Sequence, residues 1–206
     1  MIDHYDWEGG REAMLRFGPA SGPVVVAALP LFEEANRTRT FVVTLLRALA
    51  ERGIASALPD LPGQGESLIP THAATLADTR AAFAEVAGDY TLAIRSGALL
   101  DAGERKGRWH FAPQQGSELL RELTRLRKAA GSEDFAGNRL SDALLAELEG
   151  AATAEARIVR HETDAKAADL KVPGAPLWRR AEPDNDPVLA NLLADDIAAW
   201  VRACES

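Results

Sequence analysis

Apolar and polar positions along this chain fall into blocks that read alternately as strand and as helix. After Pro23 comes Val24-Val25-Val26-Ala27-Ala28-Leu29-Pro30, a continuous apolar run rich in β-branched residues, as expected of a parallel strand buried on both faces. A polar loop over 32–39 leads into Phe41, Leu45, Leu46 and Leu49 at helical spacing, and Gly53 is placed to end that helix. A second strand is predicted over 54–58, followed by a turn-rich stretch over 59–67. An alanine-rich helix over 76–87 precedes a short strand over 90–94, a turn at Arg95-Ser96-Gly97 and a further helix start.

Beyond this point the same reading gives a strand over 108–112, helices over 118–130 and 141–149, a strand over 156–160 and a last strand around Leu170-Lys171-Val172. The final helix, 188–201, carries Leu189, Leu192, Leu193, Ile197 and Trp200 on one side. Repeated β-then-α units imply right-handed crossovers and a mostly parallel central sheet with helices on both faces, an α/β fold. The strands over 24–28, 54–58 and 90–94 are expected to be central neighbours, with ligands bound beyond the strands' carboxyl ends. Gly, Ser and acids cluster over 131–137, the stretch expected to move.

A chain of 206 residues with 47% hydrophobic content is read as a single domain, 1–206, with one sizeable core. Acids outnumber bases 31 to 23, for a formal charge of -8, which argues against a nucleic-acid surface. The basic residues between Arg121 and Lys128 sit at helical spacing among leucines and read as a solvated helix face. The one cysteine, Cys204, permits no intrachain disulfide and no cysteine metal cluster. With no apolar run near the length of a membrane span and no signal pattern at Met1-Ile2-Asp3-His4, the expectation is a cytoplasmic protein.

The segment Leu58-Pro59-Asp60-Leu61-Pro62-Gly63-Gln64-Gly65-Glu66-Ser67 resembles the D-x-x-G-x-G-x-S stretch that follows the second core strand in many α/β-hydrolases. Leu29-Pro30-Leu31-Phe32-Glu33-Glu34-Ala35-Asn36-Arg37-Thr38-Arg39 resembles the P-F-x-E-E-x-N-x-S-R loop of the second type of exosortase A system-associated hydrolase. Leu92-Ala93-Ile94-Arg95-Ser96-Gly97-Ala98-Leu99-Leu100 is similar to that family's G-L-R-x-G-A-L-L elbow. The segment from Gln114-Gln115-Gly116 to Leu126-Arg127 and the turn Asp134-Phe135-Ala136-Gly137-Asn138-Arg139-Leu140-Ser141 also fit it. The resemblance implies an α/β-hydrolase fold and a setting of exopolysaccharide production and protein sorting. Ala93 departs from the family's glycine, and the short interval between Ala130 and Ala154 implies a reduced lid.

In a nucleophile elbow the residues two before and two after the apex must be small, so that the backbones can approach. Arg95 is flanked in this way by Ala93 and Gly97, whereas Ser96 is flanked by Ile94 and Ala98. Arg95 therefore holds the nucleophile's place, and a guanidinium that stays protonated cannot attack a carbonyl. No histidine follows His161, so Trp178 is the nearest occupant of the usual histidine's region. His110 reads as a packed core residue, and His4 and His72 as surface residues. An esterase or thioesterase using Ser96 and His161 is the alternative. No cofactor is implied, and neither Glu33-Glu34 nor Glu162-Thr163-Asp164 has metal-ligand spacing.

An arginine at this edge needs an acid, and Glu33 or Glu34 is the nearest in topology. Two readings stand side by side: a structural bridge that locks loop to elbow, or an Arg95 that binds a carboxylate or phosphate. The candidate elbow and ligand residues are Arg95, Ser96, Phe32, Glu33 and Glu34. Asn36, Arg39, Gln114 and Trp178 complete the set. The expected partner is a small anionic or acyl ligand, or a protein of an exosortase or exopolysaccharide system.

Overall fold

The computed structural model describes residues 1–206 apart from 102, 132, 133, 136 and 181. An apolar run that starts at Val24 forms β3 (Val24–Ala28), and its side chains alternate between two cores: Val25 and Ala27 face one, Val26 and Ala28 the other. Its neighbours are β4 (Ala55–Pro59) and β5 (Tyr90–Ile94), both parallel to it and both fully buried, as the pattern predicts. Outward from β5 lie β6 (Gly107–Phe111), β7 (Arg157–His161) and β8 (Leu170–Val172), all parallel.

The hydrophobic periodicity does not reveal the first two strands. β1 (Ile2–Trp7) and β2 (Gly10–Phe17) form an antiparallel hairpin, and Trp7 opposite Gly10 leaves Glu8 and Gly9 to turn the chain. β2 then pairs antiparallel with β4, giving an eight-stranded sheet of order β1-β2-β4-β3-β5-β6-β7-β8. The hairpin's inward positions include Asp3 and the buried Glu12, while Ile2 points outward, so its alternation is blurred.

α1 (Glu33–Glu51) and α5 (Pro187–Cys204) cover one face; α2 (Leu76–Glu85), α3 (Gly116–Ala130) and α4 (Asp142–Glu149) cover the other. The polar loop expected over 32–39 is in fact the first two turns of α1. Its charges are half-buried and paired: Arg37 with Glu33 at i,i+4, Glu34 with Arg95 and Arg39 with Asp60, while Thr38 turns inward. Gly53, at φ 77, ends this helix as expected. Instead of an α-helix, a five-residue 3₁₀ turn, Arg95–Leu99, follows β5. Between β6 and β7 stand the two helices expected there, α3 and α4, of which only α4 lies in the short interval 130–154 read as a reduced lid. Of the stretch expected to move, residues 132, 133 and 136 lie outside the described residues. Among the described residues, no helix is long and apolar enough to cross a membrane.

Candidate functional site

Among the described residues, three that are not glycine adopt positive φ: Phe32 at 61°, Arg95 at 54° and Ala112 at 48°. They follow β3, end β5 and follow β6 respectively, so unusual backbone gathers at the carboxyl edge of the three strands. Arg95 is the elbow apex. Ala93 is fully buried, and a Cβ on Gly97 would lie 2.5 Å from the Leu29 carbonyl oxygen and 2.6 Å from that of Ala28. Only a glycine two residues past the apex lets this turn approach β3 so closely, as the spacing argument requires.

Ser96 is turned away from the edge and fully buried, and its Oγ accepts a hydrogen bond from the Leu31 amide at 2.9 Å. The serine therefore ties the elbow to the segment after β3. Arg95 projects the other way. Its Nε and Nη2 donate to the two carboxylate oxygens of Glu34, each at 3.2 Å, and Nη2 also reaches Glu122 Oε2 at 3.2 Å. Its guanidinium carbon lies 5.1 Å from the centre of the Trp178 ring, a cation–π distance. Burial pushes the Glu34 carboxyl above its ordinary value, and Arg95 opposes that shift.

The remaining candidates divide. Trp178, on the 3₁₀ turn Leu177–Arg179, is held by Arg37, whose Nη1 donates to its carbonyl at 3.2 Å while Nε donates to Glu33 at 2.6 Å. Gln114 donates through Nε2 to Glu122 at 2.7 Å; its Oε1 is buried without a hydrogen bond. Phe32 and Glu33 border a small apolar recess beside Trp178. Asn36 lies on the exposed side of α1, and Arg39 reaches away to Asp60 at 2.8 Å. Asp60 in turn accepts from the Glu66 amide, and Ser67 donates to Glu12 at 2.9 Å, so the D-x-x-G-x-G-x-S stretch braces β2 and α1.

His161 ends β7 between two aromatic rings, 5.0 Å from Phe111 and 5.6 Å from Trp178 between centroids. Burial pushes its pKa below the usual 6.5, opposed by the Pro173 backbone and by Asp186 and Asp164. Neither ring nitrogen has a hydrogen bond of good geometry, and none joins His161 to Ser96 among the described residues. His110 is fully buried with Nε2 3.2 Å from Asp101, while His4 and His72 are exposed.

Above Arg95 opens a cleft of about 600 Å³ walled by α3, through Arg121, Glu122 and Arg125, and by Trp178 and Arg179. A second hollow of about 300 Å³ adjoins it, lined by Arg160, His161 and Asp164. The two share Arg95, Lys166 and Arg179. Sequence reasoning passed over the α3 arginines as a solvated face. Their face is solvated, and it is also one wall of the cleft; their four-residue spacing was the available signal.

No family model matches the chain, and no curated protein matches it by sequence. Solved structures do match. A loop variant of a haloalkane dehalogenase from Bradyrhizobium elkanii aligns over 100% of this chain and 97% of its own at a TM-score of 0.66 and 11% identity. A thermophilic esterase from Thermogutta terrifontis aligns over 100% of both at 0.58 and 12%. For an epoxide hydrolase from Vigna radiata the match spans only 54% of this chain and 39% of that one, at 0.44 and 18%. The chain has the α/β-hydrolase fold, and at these identities the likeness extends to the fold alone.

Proposed function

We propose that this chain uses the α/β-hydrolase scaffold for binding, with Arg95 in the nucleophile's place, no Ser-His-acid triad, and a small anionic or acyl ligand, or a protein partner, received above the elbow. The observation that carries the reading is the apex itself: at φ 54 the residue presented at the carboxyl edge is a guanidinium. A guanidinium offers charge and paired N–H donors in place of a nucleophile. The buried hydroxyl of Ser96, engaged by the Leu31 amide, weighs against the esterase alternative with His161. The similarity of 29–39 and 92–100 to exosortase-associated hydrolases supports a role beside exopolysaccharide production or protein sorting.

The test is treatment of the purified protein with a fluorophosphonate probe, which labels activated serines. The expected result is no labelling. Labelling that disappears in Ser96→Ala would overturn the proposal and install the esterase in its place.

A further inference from the structure

The cleft above Arg95 has a charge opposite to that of the chain. Acids exceed bases 31 to 23 overall, yet Arg95, Arg121, Arg125, Lys166 and Arg179 face only two carboxylates, Glu118 and Glu122, across it. Both carboxylates are already engaged, Glu118 by Lys166 and Glu122 by Arg95 and Gln114. Arg125 and Arg179 have no ion pair or side-chain hydrogen bond among the described residues, and Arg121 donates only to the Ser117 carbonyl. The adjoining hollow adds Arg160 on the far side of the shared Arg95, Lys166 and Arg179.

Unpaired buried polar atoms collect along the same walls. Gln114, which lines the larger hollow, keeps its Oε1 buried without a hydrogen bond, and Arg160 and His161, which line the smaller, do the same with Nε and the two ring nitrogens. Such atoms are uncommon in a folded interior and mark places where a partner is missing. Counting Glu34, which is bound to Arg95, and Asp164, which is bound to Arg160, the joined hollows set six cations against four carboxylates, an excess of two that sets the ligand's charge. A phosphate monoester carries about -1.5 to -2 at neutral pH and matches the excess, whereas a single carboxylate leaves about half of it uncompensated. Guanidinium forks suit phosphate oxygens in geometry as well as charge. The larger hollow alone is of ordinary size for a small-molecule site.

Resting on the reading of Arg95 as a binding residue, we infer that the joined hollows are a site for a phosphate-bearing small molecule. Arg125, Arg179 and Lys166 grip the phosphate, and Arg95, fixed by Glu34, forms the base. The Glu122 carboxylate occupies part of the path and competes with the incoming anion.

The experiment is calorimetric titration of the whole chain with inorganic pyrophosphate, inorganic phosphate and succinate. Inorganic phosphate and pyrophosphate are each expected to bind at least about tenfold more tightly than succinate. The double variant Arg125→Gln/Arg179→Gln should lose about 100-fold in affinity while its ligand-free melting temperature stays put, because neither side chain holds a partner. Glu122→Gln should bind pyrophosphate more tightly than the parent. Succinate binding as tightly as inorganic phosphate overturns the phosphate assignment and leaves the anion-binding reading standing. Wild-type affinity in the double variant overturns the assignment of the gripping residues. Failure of all three probes to bind overturns the inference, and if Ser96 is labelled by fluorophosphonate as well, the underlying reading falls with it.

Discussion

At the scale of single residues, Arg95 makes the bridge to an acid that its position suggests. Its side chain is 16% exposed and that of Glu34 12%, and the two meet through a two-point fork. Removing the cation in Arg95→Ala strands a buried carboxylate whose burial already raises its pKa. Stability should fall by roughly 3 kcal/mol, within the range for breaking a buried pair. Urea unfolding at neutral pH measures it, and adding Glu34→Gln should restore part of the loss by removing the stranded charge. An unchanged unfolding midpoint in Arg95→Ala would mean that the pair contributes nothing to the fold and that the guanidinium is kept for a ligand. Glu122 differs: its side chain is 45% exposed, so its contact with Arg95 is worth little to folding.

At the scale of elements, the elbow and β3 are set by contact between backbones. In Gly97→Ala the new methyl would sit 2.5 Å from the Leu29 carbonyl oxygen, an atom that cannot rotate out of the way. The expected cost is about 2 kcal/mol or more, read as a lowered thermal midpoint; a fully stable variant would show that the turn can slide along β3. This register was legible before any coordinates, because small residues at 93 and 97 allow only one apex. The core strands were legible for a related reason: strands buried on both faces leave continuous apolar runs, as at Val24–Ala28 and Tyr90–Ile94. The hairpin β1–β2 was not, since its inward side carries Glu12, satisfied by Ser67 from a distant loop. Nor was the first half of α1, whose charges look like a loop until Arg37 is seen to bind both Glu33 and the Trp178 carbonyl. Of the site, Arg95, Glu34 and Trp178 could be reasoned from fold order. Glu122, Arg125, Lys166 and Arg179 could not, because they meet only where α3 and the segments around β8 converge.

At the scale of the whole molecule, the sheet gathers every notable feature on one edge: three strained residues, the elbow arginine and two joined hollows. Over the whole chain acids exceed bases, 31 to 23. This contrast bears on the time course of binding as well as its strength. Beyond the Debye length, about 8 Å at physiological ionic strength, an approaching polyanion is largely screened from a chain of formal charge -8; in dilute buffer the repulsion reaches much farther. Arrival and retention should therefore respond to salt in opposite directions. Stopped-flow tryptophan fluorescence with pyrophosphate should show the association rate rising as salt is added and the dissociation rate rising faster. An association rate that falls steadily with salt would mean that the cleft's own field dominates at all distances. In dilute buffer such a site fills slowly and empties slowly, so its occupancy reflects past rather than present ligand concentration.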